Sequence, residues 1–273
     1  MKRHLIISAL MALPLFTACE APTDPDLYKP EVVVKAFLPV GEGIDSVYIS
    51  QVLPLTAGYT FEQAALSGVI VRVTDQDGNS TQLTEYAGKR GIYGDLSYVI
   101  KPKTTYSLYV EAAGFPVITA TTTTPGALNP LIVNKTVLSY IGDSFNGDSL
   151  TIRWNEVEGS VNYLVSVRYT GPDSSKIRIE SDFNDDEDEN FEEDPNVQSS
   201  WVNRTNGRLY GFFHKFYGPH RVTIVAMDQN LYNYIKTQFQ SSRQVNEPLF
   251  NLSSGVGYFA SGSRRSVDYQ LNF

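Results

Sequence analysis

Gly68-Val69-Ile70-Val71-Arg72-Val73-Thr74-Asp75-Gln76-Asp77-Gly78-Asn79 is the stretch that decides the fold of this 273-residue chain. Val69, Val71 and Val73 alternate with Ile70, Arg72 and Thr74, and a period of two puts each set on its own face of an extended strand. Asp75 to Asn79 is turn chemistry, with short side chains that bond nearby backbone and a glycine free to take positive φ. Ser80 to Glu85 then returns as the partner strand. Working outward, strands are predicted over Glu31 to Leu38, Asp45 to Val52, Thr105 to Val110 and Val117 to Thr123, with a Gly91-Ile92-Tyr93-Gly94 turn between. No helical period interrupts them. Short strands with turn signals every ten residues or so predict a β-sandwich.

Pro125-Gly126-Ala127-Leu128-Asn129-Pro130 breaks the pattern and marks the expected boundary between a first sandwich, 31–126, and a second, 127–273. In the second, strands are predicted over 131–139, 149–154, 161–169, 208–213 and 220–227, with Trp154 in the core. Residues 176–181 and 198–203 flank an acidic loop, 182–194, and could pair as a long hairpin. The period then changes. Asp228 is a good N-cap, and Leu231, Tyr234, Ile235 and Phe239 fall on one helical face, predicting a helix near 228–241. Met227 and Tyr232 are placed to staple its start. Val267, Tyr269, Leu271 and Phe273 alternate in a terminal strand, 266–273. The predicted fold class is all-β, two tandem sandwiches with one short helix.

Two local resemblances support that reading. Gly68 to Gly78, Gly91 to Tyr93 and Tyr106 to Gly114 resemble the hairpin and turns of transthyretin-like, carboxypeptidase-regulatory sandwiches. Trp154 closing one strand, followed by Tyr163, Val165 and Val167, resembles two strands of a fibronectin type III sandwich. Both imply fold and leave function open.

The start of the chain implies export. Lys2 and Arg3 precede an apolar run, Leu5 to Phe16, too short to cross a bilayer as a helix, which takes about 20 residues. Leu13-Pro14-Leu15-Phe16-Thr17-Ala18-Cys19 is similar to a bacterial lipobox, with Phe16 where leucine is usual. Residues 1–18 therefore read as a signal peptide and Cys19 as the lipidated N-terminus. Residues 19–30, broken by Pro22, Pro25 and Pro30, read as an extended tether carrying Glu20, Asp24 and Asp26. Cys19 is the sole cysteine, so once it is lipidated no disulfide can form.

The formal charge is −8, and removing residues 1–18 takes it to −10. Nine of those charges sit between Asp182 and Asp194, leaving the remainder near neutral. Such a surface offers no basic face, and nucleic acid is not an expected partner. Within the acidic run, Asp182, Asn184, Asp186, Asp188, Asn190 and Glu193 match positions 1, 3, 5, 7, 9 and 12 of a calcium loop. Glu187 stands where the sharp turn wants glycine, and no helix signals flank the run. A Ca²⁺ site and a solvated acidic loop are both open readings. No nucleophile elbow, phosphate loop or zinc-protease motif occurs, and only His214 and His220 remain after the leader, so neither an enzyme nor a cofactor other than Ca²⁺ is expected. Tyr210, Phe212, Phe213, Phe216 and Tyr217 gather aromatics around glycines, and an exposed Phe216-Tyr217 turn is a candidate ligand or partner contact, with core packing as the alternative. Gly255 and Gly257 lack the context of a nucleotide loop and suit a tight turn or a close backbone approach.

Taken together, the valine-rich first strand, the Asp-Gly hairpin, the tyrosine-rich helix and the closing Glu247-Pro248, Asn251, Gly255, Gly257 and Phe259 resemble the Bacteroidota lipoprotein family known as domain of unknown function 4249. Tyr258 occupies a place where that family suggests Ile or Leu. The resemblance spans nearly all of the chain after Cys19. It implies a lipid-anchored outer-membrane protein, facing the cell surface or, as the alternative, the periplasm, and serving as accessory or ligand-binding subunit to a TonB-dependent receptor in nutrient uptake. The alternatives are an independent carbohydrate-binding or adhesive surface lipoprotein and, third, a hydrolase. No catalytic residue carries over from the family.

Overall fold

Each strand of the first half buries one face because its side chains alternate, as in the deciding hairpin, where Val71 and Val73 are buried and Ile70 and Arg72 face solvent. The computed structural model describes residues 28–54, 57–142, 145, 147–173, 177–179, 196–238 and 249–273, with 196–201 and 238 described by backbone alone. Residues Glu31–Phe273 make one compact unit. Its first half holds β1 (Val32–Pro39), β2 (Gly43–Gln51), α1 (Phe61–Ala64), β3 (Ile70–Asp75), β4 (Ser80–Glu85), β5 (Ile92–Val99), β6 (Thr105–Glu111) and β7 (Ile118–Thr123). Its second half holds β8 (Ile132–Val133), β9 (Val137–Ser139), β10 (Ser149–Arg153), β11 (Asn162–Tyr169), β12 (Ile177–Arg178), β13 (Asn196–Val202), β14 (Asn206–Tyr210), β15 (Phe216–Met227), α2 (Gln229–Gln238) and β16 (Val256–Asn272).

One continuous sheet runs in the order β13-β11-β15-β16-β1-β2-β5-β4-β3-β6-β7, and a second sheet has the order β14-β10-β8. In the first half, β4 and β5 meet only at Thr84–Gly94 and Glu85–Tyr93, so the sheet turns a corner and folds over itself. Val34, Ile49, Val71, Leu108 and Ile118 fill the enclosed core. In the second half, β10 contributes Leu150 and Ile152 to a core shared with Val165, Ile224 and Leu271. Trp154 joins that core, its ring edge-on to Tyr163 at 5.5 Å. The all-β class, with a single helix longer than one turn among the described residues, is what the alternation implies.

β16 joins the halves. Its first part pairs in parallel with β1, from Val33–Val256 to Pro39–Gly262. From Gly262 onward it pairs antiparallel with β15, as far as Gly218–Leu271. Phe259 therefore lies in the first core and Tyr269 in the second.

That strand starts ten residues before the expected 266–273, because glycine and serine mask its alternation. A Cβ on Gly257 (φ +117°) would lie 1.9 Å from the Val34 carbonyl oxygen, so glycine is what lets β1 and β16 pair. Among the described residues, 177–178 do not pair with 198–203 as the long hairpin would require. β12 pairs with β15, and β13 takes the free edge of β11, which offers it a longer ladder. The predicted strand 208–213 stops at Tyr210, where the chain makes a 3-10 turn, Gly211–Phe213. Residues 131–139 form two short strands rather than one, and α1, capped by the Thr60 hydroxyl, is too short to carry a helical period. α2 begins after Asp228 as predicted, and Met227, Leu231 and Tyr232 gather in one cluster with Ala260. Residues 239–241 of the expected helix lie outside the described residues.

Candidate functional site

The residues that distinguish the end of the chain build a clasp. Asn251 lies before β16, and its amide acts as an extra rung of sheet. Its Nδ2 donates to the carbonyls of Phe259 at 2.7 Å and Thr121 at 3.1 Å, and its Oδ1 accepts from the Phe259 N–H at 3.0 Å. Beside it, Asp228 is buried. Its Oδ1 accepts from the Leu231 N–H at 2.7 Å, capping α2. Its Oδ2 accepts from the Ser261 N–H and hydroxyl, each at 2.9 Å, and from the Thr122 hydroxyl. Burial pushes this carboxyl above its ordinary range while those hydrogen bonds pull it back. The clasp thus ties β7, β16 and α2 together, and its chemistry is consumed in doing so.

On the outer face of the joined sheet lie two recesses that share Arg264. One is an apolar hollow of 400 Å³ walled by Phe37, Tyr48, Leu164, Tyr234 and Tyr258, with Lys35 at its rim. Tyr48 is 39% exposed there, and the rings of Tyr234 and Tyr258 stand 4.3 Å apart. The other is an open polar groove of 1020 Å³ running over β11, β15 and β16. Strand register orders the outer face in rungs: Leu164 and Val225, which line the hollow, beside Arg264; then Ser166, Thr223 and Ser266; then Arg168 and Arg221, with Asp268 beside Arg221. Both recesses fall within or near the 300–1,000 Å³ typical of small-ligand sites, at a junction of two halves where such sites favour forming.

The arginines are propped by carboxylates. Arg264 donates from Nε to both Glu42 oxygens at 3.1 and 3.2 Å, and from Nη2 to Glu42 at 2.6 Å and Asp45 at 3.3 Å. Arg221 donates to Asp268 through Nε at 2.6 Å and Nη2 at 2.9 Å, a bidentate fork. Asp268 is held below the usual carboxylate range by that guanidinium. The Thr223 and Ser266 hydroxyls bond each other at 2.8 Å.

A third cluster lies inside the second core. His214 Nε2 is 2.5 Å from the Tyr269 hydroxyl, and the His214 and His220 rings meet edge-on at 4.8 Å. Desolvation first, then the neighbouring His220, lower the His214 pKa to about 4. Both rings are buried, and neither lines the hollow or the polar groove.

Of the residues singled out from sequence, Cys19 and the acidic set Asp182, Asn184, Asp186, Asp188, Asn190 and Glu193 lie outside the described residues. Phe216 and Tyr217 belong to β15 instead of an exposed turn, because both pair with β12. They also part company. Phe216 packs on Tyr169, whereas Tyr217 stacks on Phe273 at 4.1 Å. They form no joint platform. Arg264, Tyr48 and the hydroxyl rung are not readable as a group from the sequence because only the cross-strand register brings them together, although Ser166 and Arg168 occupy outward positions readable from the alternation.

Among curated proteins no match is found. Among solved structures, a two-domain fibronectin type III segment of chicken tenascin is similar over 89% of this chain and 99% of its own, at 11% identity and a TM-score of 0.25. So loose a likeness adds nothing to the strands and cores described above. The family match is extensive, running over residues 19–267 and so including the clasp and both recesses. This chain belongs to the family described as domain of unknown function (DUF4249).

Proposed function

We propose that this protein is a lipid-tethered, non-catalytic binding subunit of the outer membrane that works beside a TonB-dependent receptor in nutrient uptake. The observation that carries the reading is the pair of recesses at Arg264, walled from both halves of the chain and stiffened by ion pairs and the clasp. Groups presented there are guanidinium edges, hydroxyls and rings, which suit recognition more than bond breaking. The lipobox ending at Cys19 and the proline-broken tether supply the anchor.

Receptor partnership is tested by solubilising outer membranes in detergent and capturing the tagged protein. Co-purification of a β-barrel receptor is expected, and repeated recovery of the protein alone would refute the partnership. Cys19→Ser should release the chain from the membrane fraction while leaving its melting temperature unchanged. The second reading, a glycan-binding surface lipoprotein that needs no receptor, rests on the same outer face.

A further inference from the structure

The donor and acceptor inventory of the polar groove identifies its ligand more narrowly. In Arg221 and Arg264 the Nε and Nη2 positions are taken by carboxylates, and no hydrogen bond from either Nη1 is present among the described residues. Each guanidinium is thereby fixed in orientation and still presents a donor edge. Asp268 and Glu42, one on each arginine, retain lone pairs that can accept from a hydroxyl. Ser266 and Thr223 add hydroxyls that both donate and accept. Donors and acceptors therefore alternate across the three strands, about 4.8 Å apart.

Four arginines line the groove, Arg168, Arg221, Arg264 and Arg265, against Glu42 and Asp173 in its lining and Asp45 and Asp268 beside its arginines, so the formal charges cancel. Arg221 faces Asp268, and Arg264 faces Glu42 and Asp45. A polyanion would have to compete with these carboxylates, and a polycation with the arginines. Backbone groups of β11, β15 and β16 are consumed by their ladders, so a peptide cannot dock by adding a strand to this face. The floor is also too polar for the apolar side of an amphipathic helix. A ligand rich in neutral hydroxyls meets every condition. Its apolar ring face would rest in the adjoining hollow, where Tyr48 is exposed.

We infer that the outer face around Arg264 binds a neutral oligosaccharide. Its hydroxyls pair with the propped Arg221–Asp268 and Arg264–Glu42 couples, and one sugar ring packs against Tyr48. The inference rests on the reading of this face as the protein's binding surface, and it moves glycan contact away from Phe216 and Tyr217.

Full-length protein in detergent micelles, applied to an array of neutral and acidic glycans and titrated calorimetrically with the strongest neutral oligosaccharide, tests it. Saturable binding is expected, changing less than about twofold when salt rises from low to physiological strength, since balanced sites gain little from long-range charge. Arg221→Lys, Thr223→Val and Tyr48→Ala should each weaken it roughly tenfold while Phe216→Ala leaves it within about twofold, a factor of ten corresponding to about 1.4 kcal/mol. Thr223→Val and Arg221→Lys are mild enough to keep the fold, and unchanged melting curves verify that. Failure of every neutral glycan to bind, preference for dextran sulfate or an acidic peptide, or wild-type affinity in all three groove variants overturns the assignment. Those results leave receptor co-purification untouched, so the ligand and the partnership fail separately.

Discussion

Replacing Gly257 by alanine tests the argument that β16 can serve both halves only because it lacks a side chain at that point. Two costs add. A φ of +117° is a region that side-chain-bearing residues rarely occupy, which costs about 1–3 kcal/mol. The new methyl would also sit 1.9 Å from the Val34 oxygen and 2.8 Å from its carbonyl carbon, so β1 and β16 must separate locally. Overpacking of that kind costs about 1–3 kcal/mol more. The sum is roughly 2–6 kcal/mol, and for a unit of this size it lowers the melting temperature by roughly 4–24 °C. Gly114→Ala is the matched control, with φ +83° and nothing within 4 Å of its added Cβ. It carries only the backbone cost, about 1–2 kcal/mol. Thermal unfolding followed by far-ultraviolet circular dichroism on both variants separates the two costs. If Gly257→Ala melts together with Gly114→Ala, the close approach is not what demands glycine, and the account of the joint is wrong.

Other consequences follow from the same geometry. Asn251→Ala removes three hydrogen bonds at the clasp and is expected to cost roughly 2–3 kcal/mol in denaturant titrations, and Asn251→Asp, which cannot donate to the Phe259 and Thr121 carbonyls, should cost at least as much. Asp228→Ala should cost roughly 2–4 kcal/mol, combining a lost helix cap with buried donors left unpaired, and should raise hydrogen exchange in α2. His214 produces acid sensitivity of a definite sign. Its pKa is lowered from 6.5 to about 4 in the fold, so between those values the unfolded chain holds a proton that the folded chain does not. Stability is therefore full above pH 6.5 and declines as the pH falls toward 4, by up to roughly 3 kcal/mol. His214→Gln should flatten that part of a melting-temperature profile, and an unchanged slope would contradict the burial argument.

How much was legible in the sequence differs between fold and site. The alternation of Val69, Val71 and Val73 and the Asp75 turn were readable because their signals are local. Asp75 accepts from the Asp77 and Asn79 backbone, which is the chemistry its position suggested. The cap at Asp228 was readable for the same reason. Its second role, receiving Ser261 and Thr122, was not, since those residues are distant in the chain and meet only through packing. The length of β16 was hidden because glycine and serine carry little hydrophobic signal even where they are fully enclosed. Residues 176–181 and 198–203 misled because neighbouring extended segments suggest a hairpin, whereas β11 and β15 already offered open edges. The binding face was least legible. Ser166, Thr223 and Ser266 are unremarkable singly and become a rung only through register.

The sharing of β16 between two cores also constrains the order of events in the life of the chain. Until the last residues are available, β1 has no partner on one side and the first core lacks Phe259, while β15 waits for its longest ladder. Neither half can be completed early, and contacts between opposite ends of a chain close slowly because their loop entropy is lost before they contribute. On the proposal that this chain is exported, that delay would keep it from finishing its fold before it crosses the membrane. The same dependence makes the last strand a single point of failure. A truncation before Val256 would be expected to unravel both halves, leaving β1 as an exposed edge ready to pair with another chain.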